Sequence, residues 1–209
     1  DFGGVLTSSP FEAFTRYEQA NGLPVDFIRS INATNPDTNA WAQFESNQMS
    51  VAAFDAAFAA ESEARGHLIR GQSVLALLSG DIRPRMVQAL KQIKQTHAVG
   101  CITNNVKSGQ GAGMARSESK AQAVAEVMAL FDTVIESSLV GIRKPNPEIY
   151  LMACRAMSIE PTEALFIDDL GINLKPAKAL GMTTIKVLNE AQALHDLSAA
   201  LDLVLPSQA

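Results

Sequence analysis

Ala164-Leu165-Phe166-Ile167-Asp168-Asp169 is a short apolar run that stops on two adjacent carboxylates. A brief continuous apolar run with polar flanks is what a strand buried on both faces looks like, as in a parallel sheet. Downstream, a helical stretch runs up to Gly181 and a second strand-like run covers Thr183 to Val187. Upstream, a helix follows Pro147, and Thr133-Val134-Ile135 reads as another strand. Further back come a helix from about Ser117 to Leu130, the run His97-Ala98-Val99-Gly100-Cys101-Ile102-Thr103, and a helix over Pro84 to Lys94 with Val87, Leu90 and Ile93 on one face. Strands alternating with helices require right-handed crossovers, so the expected fold is α/β: a doubly wound, Rossmann-like parallel sheet with helices on both faces. Ligands of such sheets collect at the carboxyl ends of the strands.

The first 80 residues follow a different period. Ser9-Pro10-Phe11-Glu12 reads as a helix start with Ser9 as N-cap, Pro10 at the first helical position and Glu12 completing a capping box. Helical stretches follow from Leu23-Pro24, from near Asp37 with Trp41 and Phe44, and from Ser50 with Phe54 and Phe58 one turn apart, until Gly66. The organisation expected is a core of residues 1–9 and 81–209, with an all-helical cap of residues 10–80 inserted after the first strand. That first strand would end at Asp1, just before the turn-forming Gly3-Gly4. The numbering is therefore expected to begin after a missing N-terminal segment. Polar residues from Asn104 to Gly113 form a connecting loop.

Composition excludes several classes. The 209 residues are 47% hydrophobic and 19% charged, enough to bury a substantial core. The net charge of −5 and the scattered 17 Lys and Arg lack the basic stripe of a nucleic-acid binder, so no nucleic-acid partner is expected. No stretch has the length and apolarity of a membrane span, and no membrane partner is expected. Cys101 and Cys154 lie inside apolar runs, which fits free thiols of a reducing compartment and a cytoplasmic location. An apolar patch on the cap would point to a homodimer.

The strand ends carry the chemistry. Asp1 closes the first, Thr103-Asn104-Asn105 the second, Lys144-Pro145 follows the third and Asp168-Asp169 closes the next. Gathered at one crevice, three carboxylates, a hydroxyl and an ammonium make a site for a divalent cation and a phosphoryl group. The carboxylates offer the hard oxygens that Mg²⁺ takes. Lys144 can neutralise a nucleophile or a phosphoryl group, Thr103 and the next backbone amide can donate to phosphoryl oxygens, and an Asp can attack phosphorus.

This order of motifs resembles the four-motif signature of the haloacid dehalogenase-like hydrolase superfamily. Phe131 to Ser137, Val140 to Tyr150, Phe166 to Ala177 and Leu180-Gly181-Met182 closely resemble the phosphatase domain of soluble epoxide hydrolases. They are also similar to the related domain preceding some acyl-CoA dehydrogenases. The resemblance implies a Mg²⁺-dependent hydrolase of a small phosphate monoester in which Asp1 becomes an aspartyl phosphate. Asp1, the Gly3 carbonyl and Asp169 would bind the metal directly, with Asp168 acting through a metal-bound water or sharing the role. Thr103 and the Asn104 amide would hold the phosphoryl group, and Lys144 would stabilise its charge and that of Asp1.

One departure bears on turnover. Most phosphatases of the superfamily carry a second Asp two residues after the nucleophile, which protonates the leaving alcohol; here that residue is Gly3, which transfers no proton. Two alternatives follow. The dehalogenase branch also lacks that Asp but needs no metal, and Asp168-Asp169 would then repel the nucleophile unless a cation lay between. A non-catalytic module binding Mg²⁺ and phosphate is the other. The Arg83-Pro84-Arg85 stretch reads as a helix start with solvated charges, His67, His97 and His195 as surface or satisfied residues, and Trp41, Phe44, Phe54 and Phe58 as cap core.

Overall fold

The structure is a computed structural model describing residues 1–105 and 118–206. The part of the Asn104 to Gly113 loop beyond residue 105, and the Ser117 helix start, lie outside the described residues. In chain order the elements are α1 (Pro10–Ala20), α2 (Phe27–Asn32), α3 (Ala40–Glu45), α4 (Val51–Glu63), α5 (Gly71–Leu75), α6 (Pro84–Ile93), β1 (Gly100–Thr103), α7 (Glu118–Met128), β2 (Thr133–Glu136), α8 (Ser137–Val140), α9 (Pro147–Met157), β3 (Leu165–Asp168), α10 (Gly171–Ala179), β4 (Thr183–Lys186) and α11 (Glu190–Leu201). The alternation from α6 onward is the expected doubly wound α/β arrangement, and both strand pairings are parallel.

The strands pair two by two. Thr103 of β1 lies opposite Glu136 of β2, and Asp168 of β3 opposite Lys186 of β4. Among the described residues the hydrogen-bonded pairs are β1–β2 and β3–β4, and Asp1 stands outside any strand. Its amino nitrogen nonetheless donates to Ile167 O at 3.0 Å, which lays the residue along the open edge of β3. Between the pairs runs an apolar cavity of about 250 Å³, lined by Ile102 of β1 and by Leu165 and Ile167 of β3.

Local sequence explains most boundaries. Ser9, Asn39 and Ser50 cap α1, α3 and α4 by accepting from Phe11 N, Ala42 N and Ala53 N, which satisfies amides that have no helical partner. Proline opens α1, α6 and α9. The second helix starts later than Leu23-Pro24, at Phe27. Glu18, almost wholly buried on α1, accepts from Asp26 N and Ile28 N and takes over the role of the cap. Val25 is left exposed.

Two kinds of core result. α1 to α5 pack around Phe14, Ile28, Ile31, Phe44, Phe54 and Phe58, with the rings of Phe44 and Phe54 stacked at 4.5 Å. The strands and their helices enclose separate clusters, one around Val5, Met86, Cys101 and Leu194, another around Ile149, Tyr150 and Phe166. Burying each such side chain contributes about 1.5–3 kcal/mol. Cys101 and Cys154 are free and buried, and among the described residues no helix is long and apolar enough to cross a membrane.

Candidate active site

Asp168 ends β3 with its side chain fully buried, so its charge must be met inside the protein. Oδ1 accepts from Leu170 N at 2.8 Å, and the Asn173 amide spans both oxygens at 3.0 and 3.1 Å from the first turn of α10. The remaining partner is Lys144, itself 1% exposed, whose Nζ lies 2.7 Å from Asp168 Oδ2 and 2.8 Å from Asp1 Oδ1. One ammonium therefore serves two carboxylates.

Lys144 is held from behind. Asn104, just past β1, donates its Nδ2 to Lys144 O at 3.0 Å and accepts from Lys144 N at 2.8 Å through Oδ1. The Lys144-Pro145 peptide is cis. Asn104 thus has a side-chain task in addition to the amide the sequence singles out. Asn105 ties the same corner to β2 and α8, donating to Glu136 Oε2 at 2.6 Å and from its amide to Ser137 Oγ at 3.0 Å. Thr103, buried at the end of β1, faces the same cavity as Asp1 and Lys144.

The Asp1 turn has its own supports. Phe2 N donates to Asp1 Oδ1 at 2.7 Å. Gly4 has φ +75, and a Cβ there would stand 2.2 Å from Asp169 Oδ2, so both conformation and space demand glycine. Gly3 has neither constraint: a Cβ at that position meets nothing within 4 Å. Arg83 Nη1 donates to Gly4 O at 2.8 Å. The Arg83 charge, expected in solvent, instead braces the turn after Asp1, because the Gly4 carbonyl points at the start of α6.

Asp169 points from β3 toward the same turn, and Ser9 Oγ donates to its Oδ2 at 3.1 Å. Ser9 keeps the expected N-cap role, accepting from Phe11 N, and its hydroxyl in addition links the start of α1 to the acidic pair. Burial raises the Asp169 carboxyl above its ordinary range, the charge of Asp168 adds to this, and Ser9 and Lys144 oppose it. Asp1, Asp168 and Asp169 each bring one oxygen within 4.8 Å of the others. Three hard oxygens at that spacing, with net negative charge left after Lys144, fit a small divalent cation. Asp168 has the least capacity left, since both its oxygens already accept hydrogen bonds.

These groups open into a cavity of about 450 Å³ whose other wall comes from the helical half, including Phe11, Phe14, Asn32, Trp41 and Glu45. All seven residues singled out in the sequence (Asp1, Gly3, Thr103, Asn104, Lys144, Asp168 and Asp169) lie on this cavity or in direct bond to it. Sequence reasoning missed Asn173, Ser9 and Arg83. Asn173 carried a signal, a carboxamide on the first turn of the helix that follows the acidic pair; the other two are brought in by chain crossings that no local pattern reports.

The haloacid dehalogenase-like hydrolase family model matches residues 1–181. The chain belongs to that family. It is 32% identical over 207 residues, 96% of its length, to acyl-CoA dehydrogenase family member 10 of Mus musculus. To bifunctional epoxide hydrolase 2 of Mus musculus it is 34% identical over 208 residues, 94% of its length. It spans 18% and 37% of the lengths of those two proteins. Among solved structures, a family enzyme of Bacteroides thetaiotaomicron in complex with magnesium and inorganic phosphate shares the fold, with a TM-score of 0.57 at 22% identity, covering 89% of this chain and 90% of that one.

Proposed function

We propose that the chain is a Mg²⁺-dependent phosphatase of a small phosphate monoester, acting through an aspartyl phosphate on Asp1. Residues 10–80 would be a cap over a core of residues 1–9 and 81–209. The reading rests on one observation: Lys144, buried between Asp1 and Asp168, pins the Asp1 carboxylate at the mouth of a cavity that also holds Asp169 and Thr103. A hydrolase of the family whose nucleophile stands with two further carboxylates that could hold a metal ion is suited to phosphate, and the family enzyme that holds magnesium and phosphate supports the same class.

The Asp1 carboxylate attacks phosphorus as the bond to the leaving alcohol breaks, and the alcohol oxygen takes its proton from solvent because Gly3 has none to give. Water then attacks phosphorus, releasing phosphate and the Asp1 carboxylate. Lys144 offsets the charge of Asp1 and of the transferring group, while the Thr103 hydroxyl and the Asn104 amide donate to phosphoryl oxygens. Asp1, the Gly3 carbonyl and Asp169 would hold Mg²⁺, and Asp168 would keep Lys144 and Asn173 in place beside them. Bound there, the ion supplies charge neutralisation to the phosphoryl oxygens. A cytoplasmic setting suits the two buried free thiols.

Turnover of 4-nitrophenyl phosphate, measured with Mg²⁺ and after chelation, tests this. Hydrolysis that chelation abolishes and Mg²⁺ restores is expected. Metal-independent turnover of a 2-haloacid in its place would assign the dehalogenase chemistry, and retained Mg²⁺ and phosphate binding without turnover would assign a binding module.

A further inference from the structure

Behind the Thr103-Asn104 corner lies a knot of hydrogen bonds around one residue. Thr103 and Asn104 line the active-site cavity, and Asn105, the next residue, is 2% exposed. Its two main-chain and two side-chain polar groups are all engaged, by three successive residues at the end of β2 and the start of α8. The Asn105 amide donates to Ser137 Oγ at 3.0 Å, and the same hydroxyl donates back to Asn105 O at 3.1 Å. In the side chain, Nδ2 donates to Glu136 Oε2 at 2.6 Å and Oδ1 accepts from Ser138 N at 3.2 Å. Ser137 and Ser138 are buried as well, so water competes little for these bonds.

The geometry points to Asn105 as a positioning residue for phosphoryl transfer: it fixes the direction of the Asn104 amide and, through the Asn104 side chain, the place of Lys144. This rests on the phosphatase reading above and goes beyond it, since Asn105 acts without touching the reacting atoms. On one side of Asn104 the strand ladder holds Thr103 opposite Glu136; on the other the Ser137 hydroxyl holds the Asn105 amide. With planar peptides pinned at both ends, only the two dihedrals of Asn104 are left to turn its N–H, and the anchors restrict those too. The Asn104 side chain, carried by the same backbone, grips Lys144 N at 2.8 Å and Lys144 O at 3.0 Å. Lys144 Nζ then stands 2.8 Å from Asp1 Oδ1. The amide donor and the ammonium, which serve one phosphoryl group, thus take their places from one anchor. A buried strand end needs partners for its polar groups in any protein. Here they converge on the residue next to the Asn104 amide, where a displacement of about 1 Å carried to the reacting groups costs about 10²-fold in rate.

The test uses 4-nitrophenyl phosphate as substrate and orthovanadate as inhibitor, in the wild type, Asn105→Leu and Ser137→Ala. Vanadate takes the five-coordinate geometry of a phosphoryl group in transfer, so its inhibition constant reports how well the donors are placed for that state. Asn105→Leu removes the side-chain bonds and Ser137→Ala the main-chain ones, so either variant alone tests the anchor if the other fails to fold. The expected result is a fall of about 10- to 10²-fold in kcat with KM little changed, and a rise of the same size in the vanadate constant. An inhibition constant is read only from folded, active molecules, so a merely structural role leaves it at the wild-type value. A vanadate constant unchanged in the variants, with Asp1-dependent turnover of the ester in the wild type, overturns the positioning role and leaves the phosphatase reading standing. Absence of Asp1-dependent turnover in the wild type overturns both.

Discussion

Lys144 Nζ lies 2.8 Å from Asp1 Oδ1 and 2.7 Å from Asp168 Oδ2, and neither the lysine nor Asp168 has meaningful contact with solvent. Removing the ammonium would leave Asp168 as a buried charge with only neutral donors. Lys144→Met is therefore expected to lose about 3–5 kcal/mol of stability as well as activity. Urea unfolding followed by circular dichroism measures this; a loss below about 1 kcal/mol would mean that the Asn173 and Leu170 bonds suffice to hold Asp168.

Space for a side chain at position 3 is already present. Its φ lies outside the left-handed region and a Cβ there meets no atom within 4 Å. Gly3→Asp should accordingly fold normally and supply the missing proton donor, raising turnover of alkyl phosphates by about 10²–10⁴-fold. Aryl phosphates, whose leaving groups need little protonation, should gain much less. Equal gains on both ester types would show that the new carboxylate acts in some other way.

The neighbouring glycine is constrained in the opposite sense. In Gly4→Ala the methyl group would collide with the Asp169 carboxylate in a backbone conformation that alanine rarely adopts. Displacing Asp169, a metal ligand in the proposed function, is expected to cost about 10–100-fold in metal affinity. Isothermal titration with Mg²⁺ should show that loss for Gly4→Ala and little change for Gly3→Ala; comparable affinities for the two variants would remove Asp169 from the metal site.

Asp132 gives a pH prediction away from the site. The Lys94 ammonium, and then the Val99 amide at 2.9 Å, hold its carboxyl below the usual range. In the interval between its folded and unfolded values the unfolded chain binds more protons, so stability rises with pH there. The contribution is complete above the ordinary aspartate value near 3.9 and is lost as pH falls through the depressed one. The Tm difference between wild type and Asp132→Asn should be largest above about pH 5 and close on acidification. A difference independent of pH would assign Asp132 a role through shape rather than charge.

Much of this was legible in the sequence because strand ends of a doubly wound sheet converge. Asp168-Asp169 after an apolar run, Lys144-Pro145 and Thr103-Asn104 are local signals, and the fold brings them together whatever the details of packing. Which strands pair was not legible, since pairing depends on which edges meet and not on any run by itself. Ser9 and Arg83 each fitted a local role, a helix cap and a solvated charge, and only the crossing of distant segments gave them Asp169 and Gly4 as partners. Glu45 illustrates the same limit: nothing around it in sequence announces a buried carboxylate, because its counter-charge, Arg143, is supplied by the other half of the chain.

The central claim, nucleophilic attack by Asp1, is tested most directly by Asp1→Asn. With saturating Mg²⁺ and 4-nitrophenyl phosphate, the variant is expected to lose at least about 10³-fold in kcat, because the carboxamide cannot form the acyl phosphate. Retention of turnover within a few-fold of the wild type would contradict the account.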